Sequence, residues 1–356
     1  MIDLLGRSYD DEGLAAYFGD PSCVAGIRRF ELREGRARGV RLTEVRTGSG
    51  LVFEVNESRG LDLGRMAFRG IPLSFCSCNG EVSPEFYEPV KDEWMRSFAG
   101  GMLVTGGLTH MGAASRDGDE ELPLHGRISN IPAYGVAASR ETDADGATVY
   151  SVSGSVRESK ALSGNMVLHR TVTARQGENR LFIEDRIENQ GFVEQELMVL
   201  YHFNVGHPVV DEGSRLLSRS LSVTPRDGLA AMRPERYDEY LAPSGGYGDV
   251  VYYHHLADSE GVATAALVNE RIGLGVYLVF NTQELGCFTQ WKYLEPGNYA
   301  AGLEPGTAYV GGRAEERAAG RVQVLPGRSS KYIGIEVGVL ASNAEIEDYR
   351  RLYGLN

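Results

Sequence analysis

The stretch Arg180–Asn189, RLFIEDRIEN, and the stretch Glu196–Asn204, ELMVLYHFN, decide the class of fold. Apolar and polar residues alternate along both at a period of two, which predicts β-strands. Similar runs cover Thr148–Val156 and Asn165–Ala174. Short strands at this spacing favour an antiparallel sandwich or barrel over alternating β–α units. We expect the first two stretches to be neighbouring strands, and the later one to be half buried up to Leu200.

The same kind of pattern continues on both sides of this region. Further strands are predicted at Arg28–Arg33, Gly39–Thr47, Leu51–Glu57, Val250–Leu256, Val262–Asn269, Gly273–Asn281, Gly286–Tyr293 and Tyr332–Leu340. One short helix is predicted at Asp11–Phe18, and another begins at the capping box Ser342–Glu345. Since no repeat or linker divides the chain, we expect one domain over residues 1–356, with an N-terminal extension (1–25) and a C-terminal helix (342–354).

Composition excludes several classes of partner. The chain has 356 residues and a formal net charge of −13, which argues against binding to nucleic acid or to an anionic membrane. The sequence lacks a basic leader, so it does not predict export. It also lacks a run of about 18 apolar residues, so it does not predict a membrane span. The four cysteines form neither a disulfide framework nor a zinc motif. We therefore expect a cytoplasmic protein, and a homodimer stays open.

Polar residues gather at the end of one predicted strand, in Tyr201–Pro208 (YHFNVGHP). The apolar run before it delivers His202 and Asn204 just ahead of Gly206. A rigid strand that ends in such groups suits a small-molecule site. The alternative is a core histidine with satisfied ring nitrogens and an asparagine that caps a turn.

Two further stretches carry unusual polar residues. In Leu122–Pro132, His125 and Arg127 stand between apolar residues and two prolines. The glycine-rich run Ala99–Gly112 matches neither a P-loop nor a dinucleotide fingerprint. Its glycines predict close backbone approach in a loop that lines a site, and His110 either points into that site or bonds to a turn.

Glu304 stands between an apolar residue and a proline, in Leu303–Pro305. Such a carboxylate is expected in a partly dry turn, where loss of water raises the pKa and suits the group to act as a base. The alternative is a surface turn, since the dipeptide Glu295–Pro296 occurs nearby.

Together these motifs resemble the aldose 1-epimerase (galactose mutarotase) superfamily. The resemblance rests on Leu124–Gly126 (LHG), Tyr201–Asn204 (YHFN) and Leu303–Pro305 (LEP), in this order. Gly107–Gly112 (GLTHMG) with Leu124–Asn130 (LHGRISN) looks like an uncharacterised branch of it. The resemblance implies an all-β, mainly antiparallel, galactose mutarotase-like β-supersandwich with a short C-terminal helix. It also implies a sugar substrate, and we expect no cofactor and no metal.

The resemblance further implies roles for single residues in the interconversion of sugar anomers. Glu304 takes the place of the base, His202 of the acid, and His125 of the group that stabilises charge at the ring oxygen. Implied contacts to sugar hydroxyls come from His110, Arg127, Asn204, Asp249 and Lys292.

Two departures and three alternatives remain at this point. The family's upstream arginine segment is absent, so that Arg65 and Arg96 are the candidates for its role, and Asp249 is only a loose counterpart of the family's substrate-binding aspartate. The same acid and base could act at C2 of an open-chain sugar. A metal-dependent isomerase would need His110, His125, His202 and His207 to converge, and a non-catalytic carbohydrate-binding protein would need no base.

Overall fold

The protein, seen here as a computed structural model that describes residues 1–4, 6–233 and 237–355, is built mainly from strands. In chain order the strands are β1 (Ile2–Leu4), β2 (Arg7–Tyr9), β3 (Ala25–Glu31), β4 (Arg41–Thr47), β5 (Leu51–Asn56), β6 (Asp62–Phe68), β7 (Ile71–Pro72), β8 (Leu103–Gly106), β9 (Ser115–Asp117), β10 (Glu120–Leu122), β11 (Tyr134–Thr142), β12 (Thr148–Ser159), β13 (Asn165–Arg175), β14 (Arg180–Asn189), β15 (Gln195–Leu197), β16 (Leu200–Gly206), β17 (Arg215–Ser218), β18 (Ser220–Pro225), β19 (Val250–Leu256), β20 (Val262–Asn269), β21 (Leu274–Asn281), β22 (Cys287–Glu295), β23 (Asn298–Gly306), β24 (Gln323–Leu325) and β25 (Ser330–Leu340). The helices are α1 (Asp11–Ala15), α2 (Gly228–Ala231), α3 (Arg313–Ala318) and α4 (Asn343–Tyr353).

Three large sheets contain most of these strands. An eight-stranded sheet has the order β11-β12-β13-β14-β25-β21-β20-β17, a six-stranded sheet β18-β19-β22-β23-β16-β8, and a five-stranded sheet β3-β4-β5-β6-β7. The ladders within all three are antiparallel. Phe53, Val172 and Phe203, one from each sheet, are buried in one shared hydrophobic core. The shared core supports the single domain, which stays a prediction.

The terminal helix begins where its sequence predicts. The Ser342 side chain accepts a hydrogen bond from the Glu345 N–H, and Gly354 ends α4 in the left-handed conformation. Ile346 and Tyr349 bury one face of the helix. None of the helices in the described part of the chain has the length and apolarity that crossing a membrane requires.

The prediction for Glu196–Asn204 is wrong in three respects. The stretch is two strands, β15 and β16, because Met198 and Val199 donate their N–H groups to the Leu108 carbonyl and the Thr307 hydroxyl. β14 lies between β13 and β25, and β16 lies in a different sheet. Leu197–Leu200, predicted to be half buried, are all buried, because Leu197 and Val199 pack in the shared core and Met198 and Leu200 in a second apolar cluster.

Candidate active site

A cavity of about 390 Å³ lies over the six-stranded sheet. Its floor contains His125, His202 and Glu304, the three residues to which the sequence assigns catalysis. The volume is in the range of small-molecule sites. The structure therefore brings together three residues that are far apart in the sequence. His125 and Glu304, the first and last of them, are 179 positions apart.

His202 and Glu304 project from adjacent strands. In the ladder between β16 and β23, Leu200 pairs with Gly306 and Phe203 with Leu303, and this register places His202 opposite Glu304. Their side chains approach to 3.2 Å between His202 Nε2 and Glu304 Oε1. On the other side of β23, Thr289 pairs with Glu304. A row of polar side chains thus crosses three strands below the cavity.

The strand position of Glu304 corrects the expected turn. Glu304 and Pro305 both lie inside β23, although proline in a central strand is unusual because it has no N–H to donate. The ladder to β16 has no backbone pair at these two residues. Glu304 is 2% exposed, so its carboxyl group is buried rather than on the surface.

His125 enters from a loop between β10 and a short 3₁₀ turn (Ile128–Asn130). The loop is fixed because the His125 N–H donates to the Gly112 carbonyl over 2.8 Å. His125 has φ of +55°, a left-handed conformation that is uncommon outside glycine and that occurs at functional sites. Its ring lies 5.6 Å from the His202 ring at 90°.

Several polar atoms of this floor lack a partner. Glu304 Oε1, His202 Nδ1, His125 Nδ1 and Thr289 Oγ1 are buried and form no hydrogen bond within residues 1–4, 6–233 and 237–355. The 3.2 Å approach of His202 Nε2 to Glu304 Oε1 is a contact without the angles of a hydrogen bond. Buried polar groups are normally paired, and each exception calls for an explanation. Since all four residues line the cavity, a polar ligand that fills it would supply the missing partners.

Burial controls the protonation of the floor. It raises the pKa of Glu304 well above its usual value, with a further rise from Asp249 and an opposing effect of Arg226. Burial lowers the pKa of His202 to about 4 and that of His125 to about 3. Burial thus disfavours the charged form of all three groups, so that the carboxyl group gains proton affinity and the two imidazoles lose it.

An ion pair forms one rim of the cavity. Arg226, which directly follows β18, donates to Asp249 Oδ2 over 2.9 Å, and the Trp291 indole N–H donates to Asp249 Oδ1 over 2.6 Å. The Trp291 ring in turn contacts the His202 ring at 5.5 Å. Sequence reasoning missed Arg226 because it lies in a stretch without periodicity, and neither Arg65 nor Arg96 lines the cavity.

Sequence reasoning also did not identify Trp94 and Thr289 as residues of the cavity. Trp94 stacks on Phe98 at 4.9 Å and lies 5.0 Å from the His125 ring. Thr289 shares the face of Trp291, two residues along β22. The period of two would have found Thr289, whereas nothing in the sequence places Trp94 against His125.

Four of the five residues predicted to bind sugar hydroxyls, His110, Arg127, Asn204 and Lys292, do not line the cavity. Asn204 donates to the carbonyls of Gly101 and His202, and the Lys292 ammonium donates to the Glu239 carbonyl over 2.6 Å. His110 is buried, and its pKa is lowered to about 4 by burial. Asp249 is the one predicted hydroxyl ligand that lines the cavity.

The glycine-rich run contributes a wall of the cavity and one strand. Gly112 and the two alanines that follow line the cavity, whereas Leu103–Gly106 forms β8. A side chain at Gly112, where φ is +81°, would lie 2.5 Å from the Val310 carbonyl oxygen. The predicted close backbone approach is therefore confirmed at this position.

Within the described residues, the histidines do not converge on a metal site. Across the described ranges, no group of three His, Cys, Asp or Glu side chains is arranged to hold a metal ion. His207 lies outside the cavity, with Nδ1 4.0 Å from Asp211 Oδ1. The convergence of four histidines that a metal-dependent isomerase would need is thus not found.

Comparison with known proteins places this geometry in context. A proposed aldose 1-epimerase from Klebsiella pneumoniae matches with a TM-score of 0.86 and 24% identity over 92% of this chain and 86% of its own. A galactose mutarotase-like protein from Clostridium acetobutylicum matches with a TM-score of 0.61 and 12% identity over 89% and 99% of the two chains. Galactose 1-epimerase from Lactobacillus acidophilus matches with a TM-score of 0.57 and 12% identity over 88% and 98%.

These likenesses confirm the predicted all-β, mainly antiparallel, galactose mutarotase-like sandwich. Among curated proteins, none matches the sequence. A family model described as a domain of unknown function, DUF4432, matches residues 37–339. The chain belongs to this DUF4432 family, and it has the fold of the aldose 1-epimerase and galactose mutarotase superfamily.

Proposed function

We propose that the protein is an aldose 1-epimerase-like enzyme that interconverts the anomers of a sugar. The observation that carries the proposal is the floor of the cavity, where Glu304, His202 and His125 each leave a buried polar atom without a partner. A protein that only bound a sugar would not need a carboxyl group whose pKa is raised by burial. The solved structures of this fold include a galactose 1-epimerase.

The reaction needs one proton to leave and another to arrive. Glu304, as the base, takes the proton from the hydroxyl on C1 while the bond between C1 and the ring oxygen breaks. His202, as the acid, donates a proton to that oxygen. After rotation about the C1–C2 bond, the C5 hydroxyl adds to the other face of the aldehyde, while its proton returns to His202 and Glu304 returns its proton to the C1 oxygen. The opening of the ring needs Glu304 ionised and His202 protonated, the two forms that burial disfavours, and the separation of 3.2 Å between the groups lets each charge stabilise the other.

His125 has a separate role in this scheme. Burial and the neighbouring His202 keep its imidazole neutral at pH 7, since its pKa is lowered to about 3. A neutral imidazole can donate one hydrogen bond, and we assign that bond to the ring oxygen as negative charge builds up there.

The test is exchange spectroscopy by NMR on a panel of aldoses, which detects anomer exchange and any product altered at C2. Replacing Glu304 with Gln keeps the volume and removes the basic oxygen, so exchange should fall by roughly 10²–10⁴-fold, with a much smaller change in affinity. Replacing the exposed Glu184 of β14 with Gln is the matched control and should change neither.

Equal exchange by wild type and Glu304→Gln, on a sugar that both bind, would favour a carbohydrate-binding protein instead. A product altered at C2 would move the reaction to the open-chain sugar. The proposed partner is a small sugar without a cofactor. A cytoplasmic location is supported by the four free cysteines, while the homodimer and the lack of nucleic-acid binding stay predictions.

A further inference from the structure

We propose that Gly302 is a positioning residue, because it leaves open the space beside His202 in which the carboxyl group of Glu304 lies. The inference rests on the proposed function, since it takes Glu304 as the base. It is drawn from the side of β23 that faces the cavity, and it needs no assumption about how a sugar lies there.

Gly302 and Glu304 lie on the same face of β23. Successive residues of a strand point to opposite faces, and Ala301 and Leu303 pack in the shared core. Gly302 and Glu304 therefore both face the cavity side of the sheet. Gly302 is buried, yet it does not line the cavity, so another group covers it.

The covering group is the carboxyl group of Glu304. A Cβ atom added to Gly302 would overlap with Glu304 Oε1 and would lie 3.2 Å from Glu304 Cδ. The same oxygen, Oε1, approaches His202 Nε2 to 3.2 Å. The oxygen that contacts the proposed acid thus occupies the place where a side chain at position 302 would begin.

The backbone itself does not require a glycine at this position. Gly302 is not among the residues with positive φ, so alanine could adopt its backbone conformation. A glycine inside a strand weakens the strand, because it packs no side chain and loses more conformational freedom on folding. Such a glycine marks a close approach of another group, and the closest atom here is Glu304 Oε1.

Trp291 borders the same space. It pairs with Gly302 in the ladder between β22 and β23, and its Cβ would lie 2.9 Å from a Cβ at position 302. The Cβ of Trp291 is fixed to the backbone, whereas the carboxyl group of Glu304 is the far end of a flexible side chain. Alanine at position 302 would therefore displace the carboxyl group more readily than the strand.

Gly306, on the other side of Glu304, is a glycine for a different reason. Its position two residues further along β23 also faces the cavity side. A Cβ there would lie 3.1 Å from the carbonyl oxygens of Val199 and Ala308, which are backbone atoms. Gly306 is therefore a matched control, in which the backbone rather than the carboxyl group excludes a side chain.

The first test measures anomer exchange by Gly302→Ala. This variant should lose kcat by about 10²-fold, the cost of moving a reacting group by about 1 Å, while the Kd of the sugar from saturation-transfer NMR changes much less. In a Glu304→Gln protein, which has already lost the base, Gly302→Ala should cause no further loss. Gly275→Ala in β21, whose Cβ would lie 2.8 Å from Val268 Cγ1, controls for crowding inside a strand and should leave exchange unchanged.

The second test needs no catalysis, so it separates the inference from the proposed function. Thermal unfolding is measured for Gly302→Ala in the wild-type protein and in a Glu304→Ala protein. The loss of Tm should shrink to about half or less without the carboxyl group, because only the crowding against Trp291 remains. The loss of Tm caused by Gly306→Ala should be equal in the two backgrounds.

The outcomes distinguish the two proposals. If no sugar exchanges but the loss of Tm depends on Glu304, the proposed function fails and the placement of the carboxyl group by Gly302 stands. Wild-type exchange by a folded Gly302→Ala protein would overturn the inference. Equal losses of Tm in both backgrounds, or a failure to fold in both, would also overturn it, because the strand would then require the glycine.

Discussion

Tyr201 and His202 are neighbours on β16, yet their side chains enter two opposite kinds of buried polar environment. Tyr201 faces the core, where its hydroxyl donates to Asp185 Oδ2 over 2.5 Å. Arg170 holds the same carboxylate with two further bonds of 2.9 and 2.7 Å and reaches Asp62 over 2.7 Å. His202 faces the cavity, where its Nδ1 has no partner within the described residues.

The difference separates structure from function. In the core cluster of Arg170, Asp62, Asp185 and Tyr201, charges of both signs are paired and bonded, which is the arrangement that makes a buried charge tolerable. On the cavity side, the polar groups are equally buried, but Glu304 Oε1, His202 Nδ1 and Thr289 Oγ1 form no hydrogen bond within the described part of the chain. Buried polar groups without hydrogen bonds do not stabilise the fold. Because the chain supplies such bonds on one face of β16 and leaves them unmade on the other, we assign the second face to the binding of a ligand.

The largest expected effect breaks the core side alone. Replacing Arg170 with Met leaves Asp62 and Asp185 buried without their cation, which should lower the free energy of unfolding by about 3–5 kcal/mol. Urea unfolding monitored by fluorescence measures it. Replacing Arg46, whose pair with Glu44 is partly exposed, should cost at most about 1 kcal/mol. Equal losses in the two variants would remove the distinction between the cluster and a surface pair.

A second effect, the loss of stability in acid, should be equal for His202 and His254, two buried histidines of the six-stranded sheet. Burial lowers the pKa of His202 to about 4, and it does the same for His254, whose ring has partners in Ser220 and Gln290. Below pH 6.5 the unfolded chain binds protons that the folded chain refuses. Each histidine should therefore cost about 2 kcal/mol of stability between pH 6.5 and pH 5, and the loss should continue to about pH 4.

Unfolding free energies measured between pH 8 and pH 4 check this prediction. His254→Gln should flatten the acid decline in proportion to one histidine. A decline that keeps the wild-type slope in this variant would show that the buried ring of His254 is protonated in the folded protein.

The smallest effect sharpens the comparison at the rim. Asp249 raises the pKa of Glu304 and Arg226 lowers it. In a pH profile of kcat/KM, the acidic limb reports loss of the proton from the base. Replacing Arg226 with Gln should move that limb to higher pH, and replacing Asp249 with Asn should move it to lower pH. Shifts in the same direction would mean that both changes only disturb the loop that carries the pair.

The sequence predicts the bounds of several elements better than it predicts which strands pair with each other. The bounds of β14, β19 and β20 agree with the alternation of apolar residues, and α4 follows its capping box. Glu304 was expected in a turn because Pro305 follows it, and only the contacts of β23 with β16 and β22 show that the strand tolerates a proline. The local pattern of apolar residues predicts where a strand begins and ends, whereas the partner of each strand depends on contacts with residues that are distant in the sequence.

The candidate site divides in the same way. His125, His202 and Glu304 are recognisable because short motifs surround them, and these three meet in the cavity. Lys292 was expected there from sequence alone, but its ammonium lies against the Glu239 carbonyl. Arg226 and Trp94 reach the cavity from stretches without a pattern. Motifs therefore identify the reacting groups, and the groups that surround a substrate require the three-dimensional structure.

The central claim is that β16 separates a structural face from a functional one, and one paired measurement tests it most directly. Anomer exchange and urea unfolding are recorded for Tyr201→Phe and Glu304→Gln. We predict that Tyr201→Phe loses about 1.5–3 kcal/mol of stability, the worth of a hydrogen bond to a charged group, and keeps its exchange rate. Glu304→Gln should lose exchange by roughly 10²–10⁴-fold and keep or gain stability at pH 7, because it removes a buried group whose charged form is disfavoured. If both variants lose stability and exchange together, the two faces are not distinct and the account is wrong.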